Sequence, residues 1–139
     1  YFDNLIQMAL GYPPEACDQQ GHCSIQFVIE ADGGVYPCDF YVSDAWYMGN
    51  INEASLVELS RSPAAKEFVR SSLDLIHDDC RKCRWYYLCH GGCRRRKEPV
   101  HSGQKNLDVF CPGFQMFFQY AEPTIQEVAR RLSWRLQGR

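Results

Sequence analysis

Eight cysteines carry most of the chemistry this sequence can offer, spaced Cys17-x5-Cys23-x14-Cys38-x41-Cys80-x2-Cys83-x5-Cys89-x3-Cys93-x17-Cys111. Four of them fall within the fourteen residues from Cys80 to Cys93. Thiolate sulfur is a soft ligand for zinc or iron, and the short gap between Cys80 and Cys83 lets one tight turn aim two sulfurs at one metal centre. Gly91 and Gly92 give the backbone freedom to fold closely around a bound group before Cys93. Eight thiols make two tetrathiolate sites with none left over. A site with only three protein sulfurs keeps an open metal for substrate, whereas a saturated one moves electrons or holds structure.

The metal is left open by the Cys80 and Cys83 pair alone. A zinc ribbon uses two C-x2-C pairs, but here the second pair is C-x3-C after only five residues, too short for an intervening hairpin. That spacing favours a larger iron-sulfur centre that collects sulfurs from distant segments over a structural zinc site. Four disulfides are the alternative for an exported chain. The clustering from Cys80 to Cys93 and the lack of a charged-then-apolar leader argue against it.

The elements that must position these thiols can be read in outline. A chain of 139 residues with 45% hydrophobic and 14% aromatic content suits one folded domain in which metal staples would matter. A net charge of -2 gives no electrostatic reason for a nucleic-acid partner, and no stretch reaches the roughly 18 apolar residues of a membrane helix. A cytoplasmic setting is expected. The basic run Arg94-Arg95-Arg96-Lys97 reads as a solvated face or as counter-charge beside anionic thiolates. Because the chain starts at Tyr1 rather than Met, it is expected to be a fragment or a processed product.

Leu5, Ile6, Met8 and Leu10 suit a short amphipathic helix stopped by Gly11 and Pro13-Pro14. Cys17 and Cys23 sit on a polar loop. Ser24 to Glu30 alternates, with Ile25, Phe27 and Ile29 on one side, and Asp32-Gly33 then turns into Val35-Tyr36-Pro37-Cys38, a β-hairpin that carries Cys38 back. Asp39 to Glu53 reads as an irregular loop with a turn at Gly49-Asn50. Helices are expected from Ser55 to about Ser60 and from Pro63 to Leu73, the second capped by Ser62. After a loop from Glu98 to Asp108, Phe114 to Tyr120 form a core-facing aromatic segment, and a last helix runs from Pro123 to about Leu136. The fold class is α+β, a small hairpin with helices and irregular loops organised around two four-cysteine sites.

Read together, these residues resemble the SPASM domain, the auxiliary-cluster domain of a subgroup of radical S-adenosylmethionine enzymes. The similarity runs closest to the anaerobic sulfatase-maturating enzymes, through Gly11 to Cys17, Gly21-His22-Cys23, Asp32 to Tyr41, Gly49-Asn50-Ile51 and Leu88 to Cys93. The resemblance implies two [4Fe-4S] clusters, one held by Cys17, Cys23, Cys38 and Cys93, the other by Cys80, Cys83, Cys89 and Cys111. It divides the chain into the end of a preceding domain or linker helix (1–16), a twin-cluster domain (17–121) and a C-terminal helix (122–139).

It also implies an activity. In that family an adenosyl radical takes hydrogen from Cβ of a sulfatase cysteine or serine on the way to formylglycine, and the position matching the base is Asp39. The implied partners are an N-terminal radical barrel that holds S-adenosylmethionine and a third [4Fe-4S] cluster, a sulfatase polypeptide, and an external electron donor or acceptor. The C-x3-C-x2-C radical signature is absent here, so the fragment alone is expected to be inactive. Zinc could fill the sites after air exposure. Another peptide-modifying radical maturase, or a structural zinc-binding interaction module, is the alternative. His22, His77, His90 and His101 are left beside the ligands or at the surface, and Tyr41 and Trp46 line a peptide channel or pack in the core.

Overall fold

The structure, a computed structural model, describes residues 1–98 and 105–137. In chain order its elements are α1 (Phe2–Ala9), β1 (Val28–Ile29), β2 (Gly34–Tyr36), β3 (Gly49–Asn50), α2 (Leu56–Leu59), α3 (Pro63–Asp74), α4 (Asp78–Lys82), α5 (Tyr86–Cys89) and α6 (Cys111–Gln137). Short 3₁₀ turns at Cys17–Gln19, Asp39–Tyr41, Asp44–Trp46 and Arg94–Lys97 complete it. This is the expected α+β mixture. Two compact units divide the chain, one of residues 1–21 and 76–139, the other of residues 22–75.

The unit of residues 22–75 is built on an antiparallel sheet in the order β1-β2-β3, with Val28 opposite Tyr36 and Val35 opposite both Ile29 and Gly49. The turn between β1 and β2 forms because the Asp32 carboxylate accepts the Gly34 N–H at 2.9 Å. The hairpin is shorter than its alternation implies. Phe27 adopts φ 53°, which breaks the two-residue period, so Ile25 and Phe27 pack towards the core while Ile29 is exposed. Gly49-Asn50, expected as a turn, is a third strand, because Met48 and Ile51 donate backbone bonds to Val35 and Gly33.

Both helices of this unit start where their caps dictate. Ser55 and Glu58 form a reciprocal capping box before α2, and the Ser62 hydroxyl accepts the Ala65 N–H at 3.1 Å before Pro63 opens α3. Val35, Met48, Leu59 and Ala65 fill one core. Phe68, fully buried, is met edge-on by Tyr41 and Trp46 at centroid distances of 5.1 and 5.3 Å, so these two rings are packing residues.

The other unit is helical. Leu5 and Met8 of α1 bury against Leu88, Phe118 and Ile125. The aromatic segment and the last helix, expected apart, are one element, because α6 is 27 residues long and continues through Pro123. Pro112 near its start falls where a missing N–H costs nothing, whereas Pro123 removes one internal bond. Phe118, Ile125 and Ala129 form its buried stripe, while Met116, Tyr120 and Leu132 are exposed. Glu122 joins α5 to α6 by accepting from Arg84, Trp85 Nε1 and Tyr87 OH at 2.6, 3.1 and 2.8 Å. Burial alone would raise its pKa, yet these donors hold it below the usual carboxylate range. Of the loop expected from Glu98 to Asp108, residues 99–104, His101 among them, lie outside the described residues.

Replacing Phe68 with Ala is expected to destabilise the unit of residues 22–75 by about 3–5 kcal/mol, the range for emptying a buried aromatic site. Urea unfolding of the metal-free chain followed by tryptophan fluorescence measures it, with Trp46 reporting on the affected core.

Candidate metal centre

All eight cysteines are free thiols. Cys80 lies within α4 and Cys83 caps its end, Cys89 closes α5, and Cys111 opens α6. These short elements are held in place by local bonds. His77 Nδ1 accepts the Asp79 N–H at 3.1 Å to start α4, and Cys83 N–H reaches the Cys80 carbonyl at 3.1 Å. The backbone then passes through three positive φ angles in succession, 49°, 90° and 76° at His90, Gly91 and Gly92. At Gly92 a side chain is impossible, because an added Cβ would collide with the Asp108 carboxylate.

Cys80, Cys83, Cys89 and Cys111 line one cavity of about 140 Å³. Trp85, Phe114 and Phe118 form much of its remaining wall, and Gly91 lies against it, where an added Cβ would sit 3.7 Å from Cys80 Sγ. Gln115 Nε2 donates towards Cys111 Sγ at 3.6 Å. Four thiolates round one zinc ion would place their sulfurs about 3.8 Å apart, given Zn–S bonds of about 2.3 Å. Among the described residues no three His, Cys, Asp or Glu side chains converge on such a point. A set of four soft donors facing a shared space larger than one ion fits a polynuclear iron-sulfur cluster.

The other four thiols divide between the units. Cys17 and Cys93 belong to the helical unit and interact electrostatically there, while Cys23 and Cys38 do the same in the unit of residues 22–75. Ser72, buried in α3, accepts the Cys23 N–H at 2.9 Å and so fixes that loop. Asp39 opens the 3₁₀ turn after Cys38, is exposed, and accepts the Cys38 S–H at 3.2 Å.

Burial dominates the acidity of the thiols. It raises the pKa of Cys17, Cys80 and Cys111, with the Lys97 charge opposing the rise at Cys80. Cys89 is pushed up to about 11 by burial, and Cys38 reaches about 11 by burial together with its hydrogen bond to Asp39. At these five positions a metal must displace a proton from sulfur in order to bind.

Several organising residues are not evident from the sequence. Arg96 Nε donates to Asp108 at 2.7 Å and its terminal nitrogen to Asp18 at 3.1 Å. His90, with no role assigned from sequence beyond a place beside the ligands, contacts the Gln19 carbonyl through Nδ1 at 2.7 Å. Within the basic run Lys97 is only 4% exposed, and Arg94 pairs with Glu98 at 3.0 Å, so the run is largely inward counter-charge rather than a solvated face. Its composition marked it as a charge cluster. Which members turn inward depends on the 3₁₀ turn that carries them.

With this geometry in hand, comparison with known proteins places the chain. Residues 17–84 match the SPASM family, described as an iron-sulfur cluster-binding domain. Those residues carry a SPASM domain. The chain is 46% identical over 136 residues to the cysteine-type anaerobic sulfatase-maturating enzyme of Clostridium novyi, covering 97% of itself and 36% of that protein. It is 41% identical over 132 residues to the cysteine-type enzyme of Clostridium perfringens, covering 95% of itself and 35% of that protein. The serine-type enzyme of Bacteroides thetaiotaomicron is 28% identical over 132 residues, covering 94% of the chain and 32% of that protein. A solved structure of native anSMEcpe with bound AdoMet and Cp18Cys peptide superposes with a TM-score of 0.87 at 41% identity, over 94% of this chain and 36% of that one. The chain thus spans about a third of the length of the curated relatives it matches.

The raised thiols set a pH dependence. Folded, Cys38 and Cys89 keep their protons to about pH 11, whereas an unfolded thiol releases its proton near about 8.5. The folded state thus binds more protons across that window, and stability of the reduced, metal-free chain falls as pH rises from about 8.5 to 11. Urea midpoints at both ends of that range test this, and equal midpoints would contradict it.

Proposed function

We propose that this chain is the auxiliary iron-sulfur domain of a radical S-adenosylmethionine enzyme that oxidises a cysteine of a sulfatase polypeptide to formylglycine. The observation that carries the proposal is the single cavity shared by Cys80, Cys83, Cys89 and Cys111. Identity of 41% and 46% to cysteine-type enzymes against 28% to a serine-type one favours cysteine as the target. A relative solved with AdoMet and a Cys-containing peptide supports a polypeptide substrate.

Under this reading Cys80, Cys83, Cys89 and Cys111 hold one [4Fe-4S] cluster, and Cys17, Cys23, Cys38 and Cys93 hold the other, all as thiolates. Residues 17–121 are the cluster-bearing stretch, 1–16 lead in from the preceding domain, and 122–139 follow it, carrying the rest of α6 as far as Gln137. When bound, such clusters supply one-electron transfer and, being fully ligated by protein, no open metal for substrate. S-adenosylmethionine, its own cluster and the radical barrel belong to another part of the full-length protein, so this chain alone is inactive. An external donor or acceptor exchanges the electrons, the setting is the cytoplasm, and an air-exposed chain takes zinc or stays empty.

Asp39 serves as the base. In the metal-free chain its carboxylate accepts the Cys38 S–H. Once Cys38 is a ligated thiolate that donor is gone, and the exposed carboxylate is released to accept a proton elsewhere. The target cysteine gives a hydrogen atom from Cβ to the adenosyl radical that S-adenosylmethionine supplies in the full-length enzyme, its thiol proton passes to Asp39, and one electron passes to the external acceptor. The thioaldehyde so formed takes up water and expels hydrogen sulfide to give formylglycine.

In the full-length enzyme, Asp39→Asn is expected to lower formylglycine formation on a cysteine sulfatase peptide about 10²–10⁴-fold, the contribution of a positioned base. Cleavage of S-adenosylmethionine to 5′-deoxyadenosine is expected to continue. Mass spectrometry of the peptide and chromatography of the nucleoside read both, and unchanged peptide oxidation would show that Asp39 is not the base.

A further inference from the structure

Gln19 is a buried polar residue to which the proposed chemistry gives no part. It ends the 3₁₀ turn Cys17–Gln19 and is 3% exposed. Its main chain is satisfied, since its N–H reaches the Ala16 carbonyl at 3.0 Å and its own carbonyl is met by His90 Nδ1 at 2.7 Å. Its side chain differs, because among the described residues neither Nε2 nor Oε1 has a hydrogen-bond partner. A buried amide left so is costly, and native interiors rarely keep one without a use for it.

Gln19 lines a small pocket of about 10 Å³, room for about one water molecule. Cys89 lines the same pocket and also the four-thiol cavity, so it belongs to both walls. Leu88, Phe114 and Phe118 offer a water there no polar side chain, and Asp18 and Arg96 are engaged with each other at 3.1 Å. Tyr1, which also lines the pocket, is 52% exposed and within reach of solvent. Cys89 is the member whose needs change, since losing its proton to a metal gives its sulfur a further lone pair to be satisfied. An amide already serves another thiol of the same four, where Gln115 Nε2 donates towards Cys111 Sγ at 3.6 Å.

We propose that Gln19 is a positioning residue for the cluster held by Cys80, Cys83, Cys89 and Cys111, its side-chain amide anchoring one water that donates a hydrogen bond to the Cys89 sulfur once that sulfur is a ligated thiolate. The water accepts from Nε2–H, donates one hydrogen to Oε1 and turns the other to sulfur, about three bonds, as a buried water usually makes. Hydrogen bonds to ligand sulfur favour the more anionic reduced form and so raise the reduction potential. One electron enters from an external reductant, and no proton moves with it. This inference rests on the ligand assignment proposed above and adds to it a group that acts on the cluster without binding iron.

The test is an anaerobic dithionite titration of the iron-loaded full-length enzyme, followed by electron paramagnetic resonance, beside iron and sulfide analysis. Electron-nuclear double resonance of the reduced protein after exchange into heavy water detects deuterons bonded to cluster sulfur. In Gln19→Leu and Gln19→Met one midpoint potential is expected to move negative and one deuteron coupling to disappear, with iron and sulfide unchanged. Gln20→Leu removes the neighbouring amide, which donates to the Pro14 and Glu15 carbonyls at 3.3 Å each, and is expected to leave every midpoint and coupling in place. Midpoints and couplings in the Gln19 variants equal to those of the unsubstituted enzyme would overturn the role of Gln19. So would loss of that cluster from both Gln19 variants, which would make Gln19 a residue that holds the site together. Absence of the cluster from the unsubstituted enzyme would instead overturn the ligand assignment.

Discussion

The guanidinium of Arg96 lies between two carboxylates, Asp18 at 3.1 Å and Asp108 at 2.7 Å, and each member of this trio stands close in sequence to a thiol. Asp18 follows Cys17, Arg96 comes after Cys93, and Asp108 precedes Cys111. The planar fork of an arginine can serve both acids at once, and the Asp108 side chain, 3% exposed, could not carry its charge inside the protein without that partner. Asp108 in turn accepts the Phe110 N–H at 2.9 Å just ahead of α6. Three segments far apart in the chain are thereby fixed to one another within the helical unit, and Gly92 has to be glycine because the Asp108 carboxylate occupies the space where a side chain would go.

Electrostatics around the thiols follow from the same burial. Without metal, Cys89 and Cys38 keep their protons up to about pH 11. Metal loading exchanges those protons for an anionic cluster, and the inward-facing basic run then has a reason to exist. Arg94 and Arg96 are committed to carboxylates, and Lys97 lies beside Gly91 and Cys80.

Much of this was legible in the sequence, because cysteine count and spacing, the Asp32-Gly33 turn and the Ser62-Pro63 cap act locally and leave local signatures. Where the reading failed, the decisive forces act at a distance. Gly49-Asn50 becomes a strand only because β2 offers Val35 and Gly33 as partners. Phe27 leaves the strand period by a single positive φ, which no alternation rule anticipates for an aromatic residue. Pro123 reads as a helix start, yet α6 passes through it, supported by Leu5 and Met8 of α1. The pairing of Arg96 with Asp18 joins residues 78 positions apart, and nothing in either neighbourhood announces it. The grouping of Cys80, Cys83, Cys89 and Cys111 comes from the family resemblance and not from spacing, since Cys111 arrives only with the start of α6.

The central claim is that these four thiols hold one four-iron cluster. It is tested most directly by counting iron and acid-labile sulfide in anaerobically prepared protein against a Cys80→Ala, Cys89→Ala double variant, which leaves too few sulfurs to retain a cluster. The double variant is expected to lose about four iron and four sulfide per chain, as one [4Fe-4S] cluster requires, with the remainder unchanged. Equal iron and sulfide in the two proteins, or zinc without sulfide in the unsubstituted one, would contradict the account.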